Sequence, residues 1–116
     1  MAVQMRPGQA LRLWHDVSLA LVHDGEPDLS TRQASVLFTV YLEPQPHTVW
    51  ALAEKLGVTK PVITRALDTM GRRGLLSRKR DPTDRRNVIV QRTVEGALFV
   101  ERLGDLLVAK AREVPR

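Results

Sequence analysis

Between positions 60 and 92 the sequence places ten Lys or Arg residues (Lys60, Arg65, Arg72, Arg73, Arg78, Lys79, Arg80, Arg85, Arg86 and Arg92) against three acids, Asp68, Asp81 and Asp84. That stretch carries a net charge of +7, whereas the rest of the chain holds eight basic and ten acidic residues. Clustered Lys and Arg do the chemistry of anion recognition. A guanidinium fork matches phosphate oxygens and the O6/N7 edge of guanine, and each phosphate neutralised releases condensed counterions. A merely solvated basic face has the same composition, so charge alone leaves both readings open.

Other chemistries lack their residues. With no cysteine in 116 residues, disulfides, thiolate metal sites and thiol redox sensing have nothing to run on. His15 and His23 are too far apart on one helix to share a ligand, and Asp16 and Asp24 beside them are expected to point elsewhere, so no metal site is expected. Gly71-Arg72-Arg73-Gly74 has neither the spacing nor the Lys-Ser/Thr of a phosphate loop, and no Ser/His/Asp order suggests a nucleophile. The chain is therefore read as no enzyme, with no cofactor. No apolar run approaches the ~18 residues of a membrane span, and the N-terminus lacks an apolar signal core. These features point to a soluble cytoplasmic protein, and the length fits a single domain over 1–116.

The basic residues sit on elements that the apolar pattern outlines. Leu11, Trp14, Val17, Ser18, Leu21 and Val22 recur at helical spacing over 9–23, with Leu13 and Ala20 on a second side. Ser30 and Gln33 have the spacing of a capping box, opening a helix with a stripe of Ala34, Leu37, Phe38, Tyr41 and Leu42 that Pro44 and Pro46 stop. Thr48 caps a short helix, Val49–Leu56, which Gly57 ends. Thr59 caps the next helix, over 60–73, with Pro61 in its first turn and Ile63, Ala66, Leu67 and Met70 facing inward. Two strands, Leu75–Arg80 and Asn87–Arg92, flank the turn Asp81-Pro82-Thr83-Asp84. Thr93 caps a last helix to about Arg112. The expected fold is mainly α with a small β wing, in the order α-α-α-α-β-β-α.

Two helices joined by a tight glycine turn over 49–73 form a helix-turn-helix pattern, in which the N-terminal residues of the second helix meet base edges in the major groove. Lys60, Pro61, Thr64, Arg65, Asp68 and Arg72 lie off its buried stripe. Arg65 is the candidate for a bidentate guanine contact. Thr64 suits a thymine methyl or a phosphate, and Thr59 and Lys60 stand where a helix N-terminus meets phosphate. Arg78, Lys79, Arg80, Arg85 and Arg86 put positive charge on a thin hairpin that can follow the backbone or enter a narrow minor groove. Asp81 and Asp84 are expected to hold those arginines through ion pairs across the turn.

The run from Leu52 to Asp68 resembles the helix-turn-helix of the MarR family of bacterial transcriptional regulators. Gly74-Leu75-Leu76-Ser77-Arg78 is similar to the entry to that family's wing, Asp81-Pro82-Thr83-Asp84-Arg85-Arg86 to its wing tip, and Thr93-Val94-Glu95-Gly96 to its Thr-x-x-Gly helix start. Ser30-Thr31-Arg32-Gln33 matches the start of its second helix. The resemblance covers about residues 29–97. It implies a winged helix-turn-helix homodimer on pseudo-palindromic double-stranded DNA, with Arg86 or Arg85 entering the minor groove while Asp84 or Asp81 orients it. It further implies a small-molecule effector, often an aromatic anion, as a partner. The family's cysteine-based peroxide sensing is impossible without cysteine.

The terminal helices, 9–23 and 93–112, have apolar surface on more than one side, and Gly104 admits a close backbone, which favours dimerisation. Trp14, Phe38 and Trp50 are assigned to core packing ahead of an effector pocket. Two rival functions are a winged helix that binds proteins and a non-specific architectural DNA-binding protein. The basic face of the fourth helix and hairpin argues against the first, and sequence-independent affinity would mark the second.

Overall fold

Leu29–Val100 forms one compact unit of the chain, and the segment before it, up to Asp28, forms a second with Glu101–Arg116. The computed structural model describes residues 3–116. Its elements are α1 (Pro7–Asp24), α2 (Thr31–Leu42), β1 (His47–Thr48), α3 (Val49–Leu56), α4 (Lys60–Arg72), β2 (Leu76–Arg80), β3 (Val88–Arg92) and α5 (Val94–Glu113). The expected winged helix-turn-helix is present with one addition, which makes the order α-α-β-α-α-β-β-α. β1 pairs antiparallel with β3, His47 opposite Val90 and Thr48 opposite Ile89, so the sheet order is β1-β3-β2. Two residues are too few to show alternation, and their partner lies far along the chain. Pro44 and Pro46 separate the strand from α2, since neither can continue the helix, and the chain bends between them with a cis Gln45–Pro46 bond.

The core of the Leu29–Val100 unit is aliphatic. Val36, Leu37 and Val40 from α2 pack with Leu52 of α3, with Ile63, Leu67 and Met70 of α4, and with Val90 of β3. Caps set the helix starts. The Ser30 hydroxyl accepts from Gln33 N–H (3.0 Å) while Gln33 Oε1 accepts from Ser30 N–H (2.9 Å). The Thr48 hydroxyl accepts from Ala51 N–H (3.0 Å). Gly57 ends α3 at φ 68°, a left-handed conformation that L side chains rarely adopt, and so makes the tight turn into α4. Thr59 occupies the N-cap position of α4, but its side chain makes no capping bond, contrary to expectation. Pro61 removes one N–H a cap would satisfy, and Val62 N–H goes to the Thr59 carbonyl (3.1 Å).

The wing is tied to the helices by a polar node. Tyr41 Oη donates to the Leu75 carbonyl (2.7 Å) and accepts from Thr93 N–H (3.0 Å). The Thr93 hydroxyl donates to the Gly74 carbonyl (2.6 Å) and accepts from Gly96 N–H (2.9 Å), capping α5 as expected. Gly96 is buried here, and a Cβ on it would run into the Tyr41 hydroxyl and the Leu75 carbonyl. Arg92 caps the other end of α2. Its Nε donates to the Val40 carbonyl (2.7 Å), its Nη2 to the Glu43 carbonyl (3.0 Å), and its guanidinium lies over the Tyr41 ring.

Several apolar assignments are corrected. Leu42 is exposed at the end of α2, while Val36 and Val40 take the inner positions. Trp50 is exposed on α3, and of the three aromatics assigned to packing only Phe38 lies against the core.

In the terminal unit, α1 starts two residues before the expected position, with Pro7 at its first turn and Arg6 N–H donating to Gln9 Oε1 (2.9 Å). Gln9 Nε2 donates to the Pro115 carbonyl (3.1 Å). Val17 is buried, but Leu11 and Trp14 of the expected stripe are 69% and 67% exposed. Asp16 does not point away from its histidine neighbour: its Oδ1 lies 3.1 Å from His15 Nδ1 and 3.9 Å from Arg12. Among the described residues no group of His, Asp and Glu is arranged to hold a metal ion, and no helix is long and apolar enough to cross a membrane.

Candidate nucleic-acid interface

α4 separates two kinds of surface along its length. Ile63, Ala66, Leu67 and Met70 are buried against the core. At 3.6 residues per turn, Lys60, Pro61, Thr64, Arg65, Asp68 and Arg72 fall within roughly 140° of arc on the opposite side. Five of these six are exposed and Asp68 is half-buried. The outer arc therefore displays three cations, two of them without a constraint. Among the described residues the side chains of Lys60 and Arg65 make no hydrogen bond or ion pair, whereas Arg72 Nη2 rests on Thr69 Oγ1 (3.4 Å). The uncapped Thr59 hydroxyl is also free of a hydrogen bond and stands at the same end as Lys60.

Strand alternation sorts the wing cations. Arg78 lies opposite Val90 and Arg80 opposite Val88, so they share the face of the sheet that carries the buried Val90. Lys79, opposite Ile89, projects from the other face. The basic run therefore divides between the two faces of the hairpin. Arg78 is not a free cation. Its Nη2 lies 2.7 Å from Asp68 Oδ1 on α4. Arg80 Nη1 donates to the Arg85 carbonyl (2.8 Å) and so braces the tip from below.

The tip itself is a hydrogen-bonded turn. Asp81 N–H donates to the Asn87 carbonyl (3.0 Å), and Asn87 N–H to the Asp84 carbonyl (2.9 Å). Asp84 Oδ1 accepts from Arg86 N–H (3.1 Å) and from Arg86 Nε (3.2 Å), which fixes the root of a side chain that is 91% exposed. Asp81 takes a different part from the arginine pairing expected of it. Its Oδ1 accepts from the Thr83 hydroxyl (2.7 Å) and from Thr83 N–H (2.9 Å). These bonds, the hydroxyl's first, hold its carboxyl below the ordinary carboxylate range. Arg85 is exposed, and its side chain has no hydrogen-bond partner among the described residues.

This surface has a known relative in sequence as well as in shape. The sequence model of the MarR family matches residues 29–88, from the start of α2 into β3. The chain belongs to the MarR family.

Among MarR-type relatives, the organic hydroperoxide resistance transcriptional regulator of Bacillus subtilis (strain 168) is 34% identical over 64 residues, 55% of this chain. The chain spans 44% of that relative's length. The PcaV transcriptional regulator from Streptomyces coelicolor is 30% identical, with a TM-score of 0.65 over 95% of this chain and 80% of that one. The transcriptional repressor CouR, solved bound to a 23-mer DNA duplex, is 28% identical, with a TM-score of 0.70 over 90% of this chain and 70% of that one.

The structure also shows which contributors the sequence pattern hides. Tyr41, Arg92 and Asp68 each act through a partner 10 to 52 positions away, and no periodicity announces such pairs. The one available signal was Asp68 itself, an acid on the otherwise basic arc of α4.

Proposed function

We propose that this chain is a sequence-specific, double-stranded DNA-binding transcriptional regulator that works as a homodimer, with α4 in the major groove and the wing at the minor groove. The observation that carries the reading is the outer arc of α4, which joins unpaired Lys60 and Arg65 to Thr64 and Pro61 on a face opposite the core. Arg65 is assigned to base readout, since a guanidinium free of protein partners retains its fork for O6 and N7. Thr59, Lys60 and Arg72 serve phosphates. Arg86, rooted by Asp84, is the group that enters the minor groove, with Arg85 beside it and Arg80 holding the tip in shape. Such a protein acts at the nucleoid. CouR, a transcriptional repressor of similar fold, was solved on a DNA duplex, which supports the assignment.

The dimer rests on apolar surface without cover. Leu11, Trp14 and Val22 are exposed along α1, and Leu107 and Val108 along α5. Exposed aliphatic and Trp side chains at this density are characteristic of association surfaces. Two-fold symmetry would present two recognition helices to two half-sites one helical turn apart.

Selection of bound sequences from random duplex DNA tests the whole reading. Recovery of a pseudo-palindrome with two half-sites is the expected result. Recovery of no consensus, with affinity that follows salt alone, would leave an architectural protein instead. No binding to any duplex at low ionic strength would leave a protein-binding winged helix.

A further inference from the structure

Asp68 stands near the middle of the outer arc of α4, where an unpaired carboxylate would repel every phosphate near it. It is instead neutralised by Arg78 of β2 at 2.7 Å. The pair crosses from recognition helix to wing, on the outer side of two elements whose inner sides share the core through Leu67, Met70, Leu76 and Val90. Arg78 reaches it because its register, opposite the buried Val90, places it on the inner face of the sheet. Both side chains remain partly exposed, 35% for Arg78 and 44% for Asp68. A pair this wet contributes little to stability, so its value is geometric.

We propose that Asp68 is a specificity-determining positioning residue: through Arg78 it fixes the base of the wing against the recognition helix and keeps Arg78 off the phosphates. The inference rests on the DNA-binding reading above. A reader in the major groove and another at the minor groove cooperate only on sites whose spacing matches their separation. Loosening that separation lets wing and helix engage any backbone independently. Releasing Arg78 also adds a mobile cation, which favours all sequences alike.

The test uses the full chain and the duplex recovered by selection, beside a scrambled duplex of equal length. Asp68→Asn should lower the ratio of cognate to scrambled affinity about tenfold. Scrambled affinity should rise, with a salt slope steeper by about one phosphate contact, near 0.9 in log–log units. Asp68→Glu, which keeps the charge, should restore most of the ratio. In a cycle with Arg78→Gln, removing Asp68 should cost no further specificity once Arg78 is gone. Equal gains on both duplexes for Asp68→Asn would overturn the proposal, showing a merely repulsive acid. A changed preference at a single base pair, unaltered by Arg78→Gln, would overturn it in favour of direct base contact.

Hydrogen exchange on the DNA-free protein separates this inference from the functional reading. Faster exchange across residues 76–80 in both Asp68→Asn and Arg78→Gln supports the coupling whether or not a cognate duplex exists. Unchanged exchange in both variants overturns it, even if the protein binds DNA with high specificity.

Discussion

Arg65 and Arg86 carry the same charge but sit in different surroundings, and their variants should separate base readout from backbone attraction. Arg65 is without a protein partner on the outer arc of α4, so its loss removes sequence information. Arg65→Ala is expected to cost about 1–3 kcal/mol on the cognate duplex and to flatten preference at one position. Arg86 is held at its root by Asp84 and projects from the tip. Arg86→Ala should weaken binding to many sequences and make the salt dependence shallower by about 0.9 in slope. Titration by fluorescence anisotropy at several salt concentrations checks both, and a flattened preference from Arg86→Ala alone would reverse the assignment.

Asp81 makes a pH prediction at the same scale. Hydrogen bonds from the Thr83 hydroxyl and N–H favour its charged form, so its folded pKa lies below the unfolded one. Its contribution to the turn is therefore complete above the ordinary Asp range, about pH 4, and is lost as pH falls through the lower folded value. The wing tip should keep its shape at neutral and mildly acidic pH. In a carbon-detected NMR titration, Thr83→Ala should move the Asp81 midpoint upward toward about 3.9. An unmoved midpoint would mean that the Thr83 hydroxyl does not hold the carboxylate in solution.

At the scale of elements, the junction of α2, β2 and α5 is the place where small changes matter. Tyr41 and Thr93 satisfy four backbone groups between them, and Gly96 lets the first turn of α5 lie against that node. Gly96→Ala gains helix propensity, but its Cβ meets a hydroxyl and a backbone carbonyl, and the carbonyl belongs to the chain entering β2. Overpacking of this kind costs about 1–3 kcal/mol, more than the ~0.5–1 kcal/mol that Ala gains over Gly in a helix. Urea denaturation should show a lower midpoint with little change in slope. A midpoint equal to or above that of the parent chain would show that the junction opens freely.

For the whole molecule, the telling feature is apolar surface left exposed on both terminal helices. Burying Trp14 and Leu11 in a partner copy would remove large side chains from water at about 25 cal/mol per Å². Sedimentation is expected to show a dimer. The double variant Leu11→Glu, Trp14→Glu should sediment as a monomer, lose affinity for a two-half-site duplex and keep its affinity for a single half-site. A parent chain that stays monomeric with and without DNA would remove the homodimer from the functional reading.

Helix positions, caps and hairpin were legible in the chain because their signals are local: Ser30 with Gln33, Thr48, Gly57, and the turn from Asp81 to Asp84 each act within a few residues. The inner stripe of α4 was legible for the same reason, since 3.6-residue periodicity follows from the backbone itself. The charge surplus between Lys60 and Arg92 was also visible, but not its distribution in space. Tertiary structure decided that Arg78 lies on the inner face of the hairpin, that Arg92 caps α2, that Arg78 pairs with Asp68, and that β1 joins the sheet. Each of these depends on strand register or on a partner distant in sequence. A one-residue shift in pairing would invert every wing side chain, so linear order shows that Arg78 and Arg80 share a face but not whether that face meets the core.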